Sequence, residues 1–322
     1  LGITKDAIGK TISVAEYNQT CRKEVMKYTA EWESLTNQMG YWVDMEHPYV
    51  TYKNKYIETL WYLLKELYKK GLLYKGLSIQ PYSPAAGTGL SSHELNQPGC
   101  YRDVKDTVCT AQFRIIDAPE SLRGRGESFF LAWTTTPWTL PSNTALCVGP
   151  SIEYCTVETF NPYSDMPITV VLATALLGSY FDAESEVSEL PETWDKETYK
   201  KAPWHRISTC KGSDLVGIHY EQLIPWVNPG EGAFRVIPGD YVSTEDGTGI
   251  VHIAPTFGAD DERVAKAAGV PPLLMIDNKG QQRPMVDLKG RFYKIEALDH
   301  QFLKESVNVP LYDTYAGRYV KK

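Results

Sequence analysis

The feature that most constrains this chain is a change of texture at Ser78 to Gly89, SIQPYSPAAGTG, a run of turn formers between two kinds of hydrophobic period. Before it, apolar residues recur every three or four positions. Cys21, Val25, Tyr28, Trp32, Leu35 and Met39 predict an amphipathic helix over Glu16 to Met39 that Gly40 stops. Ile57, Leu60, Trp61, Leu64, Leu67 and Tyr68 predict a second within KYIETLWYLLKELYKKG, stopped by Gly71. After the change come short β-rich runs, TAQFRII, SFFLAWTT, EYCTVETF, PITVVLA, GDYVST and GIVHIAP, separated by Gly, Pro, Asn and Asp. The expected class is therefore α+β, with a mainly helical segment over 1–92 and a β-rich domain over 93–322 of barrel or sandwich type. Between Asp182 and Pro203 the chain is acidic and without a period, and reads as a surface excursion. DDERVAKAAG, opening at Asp260 and Asp261 and followed by Gly269, Pro271 and Pro272, predicts one late helix.

A chain of 322 residues with 43% hydrophobic content can fill the cores of two domains. No apolar run approaches the roughly 20 residues needed to span a bilayer, and LGITKDAIGK lacks the features of a signal peptide, so no membrane association and a cytoplasmic setting are expected. The six cysteines show no CxxC and no Cys/His spacing of a zinc site, which predicts reduced thiols and no metal. With 33 basic against 40 acidic residues the net charge is -7, so any nucleic-acid contact must be local. Lys279, Arg283, Lys289, Arg291 and Lys294, with Arg318, Lys321 and Lys322, form one candidate phosphate-contacting patch; they read equally as an ordinary solvated face. With no initiator Met and a last stretch TYAGRYVKK, the chain reads as an excised fragment, expected to be monomeric.

Two strings carry chemistry. In TTTPWTLPSN, Pro137 prevents SFFLAWTTT from continuing as a central strand, so Thr134, Thr135, Thr136, Thr139 and Asn143 gather at a rigid strand-to-loop corner. Hydroxyls and an amide there can bind a ribose, an ester carbonyl and a water without being strong acids or bases. The same residues are also common strand and loop punctuation. In GTGIVHIAP and FGADD, strand alternation sends His252 to the face opposite Val251 and Ile253, as a ligand contact or as a satisfied core histidine. Asp260 reads as a helix cap, and a helix N-terminus is expected to keep Asp261 ionised.

Together the strings resemble the editing insertion (CP1) of the isoleucyl-tRNA synthetase family, class I enzymes that hydrolyse mischarged tRNA. TTxPxT marks the editing insertions of the isoleucine, valine and leucine enzymes; in the latter two, Arg usually follows the second Thr and an acidic residue the Pro. Thr136 and Trp138 stand there instead. The family's HxAPxxGxDD is matched in register by His252, Ala254, Pro255, Gly258, Asp260 and Asp261, and KGSDLVGIHY is similar to its Gly-x-x-Leu-x-Gly-x-x-Tyr segment. WVDMEHPYVTY and GLLYKG resemble the stretch just upstream of the insertion.

The resemblance implies a β-barrel-like editing domain, with the helical segment rooting it on the catalytic side. It implies hydrolysis of valyl-tRNA(Ile), with Asp261 taking the ammonium of the aminoacyl group and Trp138 and His252 forming the size limit. Thr134, Thr135, Thr139 and Thr248 are then substrate contacts, and Thr136 and Asn143 place the attacking water. Editing would need no cofactor. The ATP and Mg of aminoacylation belong to HxGH-like and KMSKS strings that this sequence does not contain. Its partners would be valine-charged tRNA(Ile) and the remainder of the synthetase. The rival readings are an editing insertion of a valine or leucine enzyme, and a non-catalytic tRNA-binding module.

Overall fold

The computed structural model describes residues 2–321 and divides into two units, one up to Leu77 and one from Ser78. The change of texture is thus also a division of the structure. The expected domain edge at 92/93 lies inside a one-turn helix, Ser92–Leu95, of the second unit.

In the first unit the single helix predicted over Glu16 to Met39 is in fact two, α1 (Val14–Val25) and α2 (Thr29–Gln38). Ser13 and Glu16 form a reciprocal capping box that starts α1. The break falls at Met26 to Tyr28, where Tyr28 leaves helical geometry (φ -109, ψ 22) and the Thr29 hydroxyl donates to the Met26 carbonyl at 2.9 Å. Such a local side-chain bond competes with the helical ladder, and apolar spacing that runs through the break cannot reveal it. Helix α3 (Asn54–Lys69) follows the prediction, and Gly71 beyond it takes φ +70. Among the described residues of these three helices none is buried.

In the second unit eight strands form two sheets: β1 (Cys109–Arg114), β2 (Glu127–Thr134), β3 (Ala145–Val148), β4 (Glu153–Phe160), β5 (Pro167–Ala173), β6 (His205–Lys211), β7 (Arg235–Pro238) and β8 (Ile250–Ile253). One sheet has the order β1-β2-β5-β4-β6, antiparallel except for β2 and β5; the other has the order β8-β3-β7, with β8 antiparallel and β7 parallel to β3. Phe113, Phe130, Leu146, Tyr154, Val171, Tyr220 and Ile250 are packed into the shared core, all nearly inaccessible. Bridges Ile115 to Tyr220 and His219 to Arg235 stitch one flank, and the Ala173 N–H donating to the Thr248 carbonyl (2.8 Å) stitches the other. The result is barrel-like without a continuous closed ladder.

Two further clusters use the outer sheet faces. Leu131, Val157, Val170 and Leu172 are covered by the segments flanking the excursion, through Leu177, Tyr180 and Phe181 before it and Trp204 after it. Ala145, Ile237 and Ile253 receive helix α4 (Ala259–Ala268) through Val264 and Ala265. GDYVST, predicted as a strand, is a loop. Its would-be partner β3 ends at Val148, before Gly149 and Pro150, so only Gly239 N–H still finds a carbonyl, that of Val148. A last cluster, Trp226, Leu273, Met275, Met285, Phe292 and Tyr312, organises the C-terminal part. Among the described residues no helix is long and apolar enough to cross a membrane.

Candidate active site

The end of β2 and the start of β8 make the site. β2 pairs with β1 up to Thr134, and Pro137 then opens a 3-10 turn, Pro137–Ser142, that folds the chain back under the strand end. On the other side Gly247 and Gly249 both take positive φ, +72 and +71. At Gly249 a Cβ would lie 2.4 Å from that of Ala173, so glycine is required twice over. Between them Thr248 is buried; its hydroxyl donates to the Ile250 carbonyl (3.2 Å) and accepts from the Trp133 N–H (3.4 Å). It is a clamp between the sheets.

These segments enclose a cleft of about 370 Å³, inside the range of roughly 300–1,000 Å³ usual for small-molecule sites. The structure brings Thr134, Thr135, Thr136, Trp138, Thr139, Thr248, His252 and Asp261 to its lining. Asn143 does not line it. Its amide oxygen accepts from the buried Tyr220 hydroxyl (2.6 Å) and its NH2 donates to the Ala145 carbonyl (2.8 Å), leaving it behind His252. Trp133, Tyr241 and Phe257 also line the cleft, and sequence reasoning passed over all three. Phe257 meets Trp138 edge-on, with centroids 5.3 Å apart. It sits at an unspecified position of HxAPxxGxDD, and Tyr241 lies in the run misread as a strand.

Hydrogen bonds order the threonines. The Thr134 hydroxyl accepts from the Thr136 N–H (3.0 Å), and the Thr139 hydroxyl donates to the Thr136 carbonyl (2.8 Å). Having spent its proton, Thr139 must accept from His252 Nε2, 2.9 Å away, which assigns the Nε2–H tautomer and leaves Nδ1 to the distant Asn143 NH2 (3.5 Å). Burial pushes the His252 pKa down to about 4, so the imidazole is neutral near pH 7 and both its nitrogens are occupied. It lines the cleft as an uncharged ring.

The acidic pair departs from the expectation. No side chain caps α4, whose N-cap is Gly258; Asp260 faces Arg263 instead, at 3.5 Å. Asp261 turns back from the helix and accepts from the Ala254 N–H at 2.9 Å. Its carboxyl is held above the usual carboxylate range, because burial outweighs the Ala254 N–H and the nearby Tyr241 hydroxyl, and Asp260 adds like charge. Gly258 makes room for it: a Cβ there would stand 2.8 Å from Asp261 Cγ. Among the described residues no three His, Cys, Asp or Glu side chains are grouped as a metal site would need.

What this geometry can do is hold a cation against one part-buried carboxylate beside a row of hydroxyls and an aromatic wall. Comparison with known proteins gives the arrangement a family. The family described as tRNA synthetases class I (I, L, M and V) matches residues 1–312. The chain belongs to the class I tRNA synthetases. Among synthetases of this family, the isoleucine–tRNA ligases of Porphyromonas gingivalis and Bacteroides fragilis are each 67% identical over 321 residues, covering 100% of this chain and 28% of theirs. That of Cytophaga hutchinsonii is 56% identical over 322 residues, covering 100% of this chain and 27% of its own. The chain thus spans little more than a quarter of the length of these curated relatives. A solved structure, GlLeuRS-CP1, shows a loose likeness at 17% identity and TM-score 0.37, over 57% of this chain and 74% of that one.

The basic patch is partly spoken for. Arg283 is paired with Asp277 (3.0 Å), Arg291 with Asp287 (3.4 Å) and Lys321 with Asp106, while Arg318 lies over the Tyr315 ring. Lys322 lies outside the described residues.

Proposed function

We propose that the cleft is an editing site that hydrolyses the ester of valyl-tRNA(Ile). The observation that carries this reading is that Asp261, Trp138, His252 and the hydroxyls of Thr134 to Thr136 line one cleft of small-molecule size. Isoleucine and valine differ by one methylene, worth about 1–3 kcal/mol on burial, a limit long established for this very pair and taken as given. A synthetic pocket alone cannot reject valine on that margin, so a second pocket sized for valine completes the choice.

In this reading the ammonium of the valyl group is anchored by the Asp261 carboxylate, whose ionised form the incoming cation favours. Trp138, His252 and Phe257 bound the space for the side chain. Thr135 and Thr136, the exposed members of the row, meet the terminal ribose and the ester. Water held by Thr136 attacks the carbonyl carbon; the oxyanion draws on the hydroxyl-lined corner, and as the ester C–O bond breaks a proton of the water passes, through the neighbouring ribose hydroxyl, to the departing oxygen, leaving valine and the ribose hydroxyl of tRNA. With His252 neutral and saturated, no side-chain base is needed for an ester already activated, and positioning supplies the rate. Asn143 contributes from behind, by fixing the strand end and the histidine. Residues 1–92 root the domain on the rest of the synthetase, and Lys279, Lys289 and Lys294 meet tRNA phosphates.

The test is deacylation of valyl-, threonyl- and isoleucyl-tRNA(Ile) by the full-length protein. Rapid loss of valine with isoleucine retained supports the reading. Preference for threonine indicates a different editing substrate, and binding without turnover leaves only a tRNA-binding module.

A further inference from the structure

Tyr241 follows β7 and lines the cleft alongside Asp261. Its hydroxyl is buried and makes no well-formed hydrogen bond, although it lies close enough to the Asp261 carboxylate to favour the ionised form and close enough to the Cys147 thiol to interact with it. The backbone makes room for the thiol beside it: a Cβ at residue 239 would stand 2.3 Å from Cys147 Sγ while only touching Tyr241 Cε1 at 3.4 Å, so glycine there lets Cys147 pack against the strand end from which Tyr241 follows. A buried phenol without a partner carries a desolvation cost with no return in the fold, and such a group calls for an explanation. Asp261 offers one. Its Oδ2 is taken by the Ala254 N–H, and Oδ1 accepts nothing from the described residues.

We propose that Tyr241 is a positioning residue for Asp261: once the aminoacyl ester is bound, its hydroxyl donates to the carboxylate and holds it turned toward the ammonium. The inference rests on the editing reading above. It makes Tyr241 act through Asp261 rather than on the ester, so it changes affinity for the charged amino group more than the rate of the chemical step. Other groups around the carboxylate do not supply this bond. Arg263 is engaged by Asp240 and Asp260, at 3.0 and 3.5 Å; Asp240, Asp260 and Asp246 carry the wrong sign; and His252 has both nitrogens occupied. The Cys147 thiol, pushed up to about 12 by burial, stays protonated. Near neutral pH the carboxylate is therefore the group in this cluster whose ionisation the phenol can bias.

The experiment compares wild type with Tyr241→Phe in the full-length protein, which keeps the ring and removes only the hydroxyl. Binding of a non-hydrolysable valyl-adenosine amide is measured by calorimetry from pH 5 to 8, beside deacylation kinetics on valyl-tRNA(Ile) and the thermal midpoint. The expected result is affinity reduced roughly 5- to 10-fold, KM raised in proportion with kcat within about twofold, and the acid midpoint of binding moved up by about half to one pH unit. The thermal midpoint should change little, because the lost hydroxyl made no well-formed hydrogen bond in the fold. Unchanged affinity overturns the proposal, and so does a loss of affinity without the midpoint shift or with a lowered melting temperature. Wild-type protein that neither binds the amide nor deacylates valyl-tRNA defeats the editing reading itself, a distinct outcome.

Discussion

Replacing Asp261 by asparagine isolates the charge from the shape. The amide keeps the side chain's size and an oxygen for the Ala254 N–H at 2.9 Å, so the turn at Gly258 and the start of α4 should persist. What disappears is attraction between a carboxylate and an ammonium in a partly buried cleft. At about 4 Å and an effective dielectric near 20 that attraction is about 4 kcal/mol. Part of it is consumed in ionising a carboxyl that burial holds above its usual range, leaving roughly 2–3 kcal/mol. The expected fall in kcat/KM for valyl-tRNA(Ile) is therefore about 30- to 150-fold. The assay is initial-rate deacylation by wild type and Asp261→Asn, each also tested on N-acetyl-valyl-tRNA(Ile), which carries no ammonium. Wild type should hydrolyse the acetylated ester poorly, and the variant should do so no worse. If the substitution slowed both esters equally, Asp261 would be serving the chemical step or the fold, and the anchor assignment would fail.

Gly258→Ala puts a methyl 2.8 Å from Asp261 Cγ at a backbone angle, φ -115, that alanine adopts freely, so it should displace the carboxylate and lower kcat/KM about 10- to 100-fold with little change in melting temperature. His252→Ala removes a wall of the cleft; isoleucyl-tRNA(Ile) should become a substrate in deacylation assays, whereas retained discrimination would assign the size limit to Trp138 and Phe257 alone. His252 also links stability to pH. Its folded pKa of about 4 lies below the unfolded 6.5, so the neutral ring contributes stability that is fully present above pH 6.5 and lost as pH falls through 4. Urea unfolding of wild type should weaken by about 3 kcal/mol more than that of His252→Gln across that window.

Much of the local architecture could be read without coordinates. Pro137 ends β2 because it cannot pair on both sides, Gly269 closes the late helix in the left-handed conformation, and two-residue alternation sends His252 inward. These are properties of a residue and its immediate neighbours. Misreadings arose where a partner decides. GDYVST has strand composition but no strand to pair with beyond Val148, and the helix over Glu16 to Met39 breaks at a hydroxyl bond that hydrophobic spacing does not record.

The site divides the same way. Its residue types were visible in two strings more than a hundred positions apart, and their joining in one cleft follows from the β3–β8 pairing that sets His252 against Leu146. Which of those residues face the cleft was beyond any one-dimensional pattern. Asn143 is drawn away by Tyr220, 77 residues on, and Tyr241 is brought in by the loop that follows β7. The protonation of Asp261 is likewise tertiary. By sequence it begins a helix and should ionise easily; only the packed cleft buries it, and desolvation is the larger effect because it acts on the full charge while the loop supplies one well-formed hydrogen bond, from the Ala254 N–H.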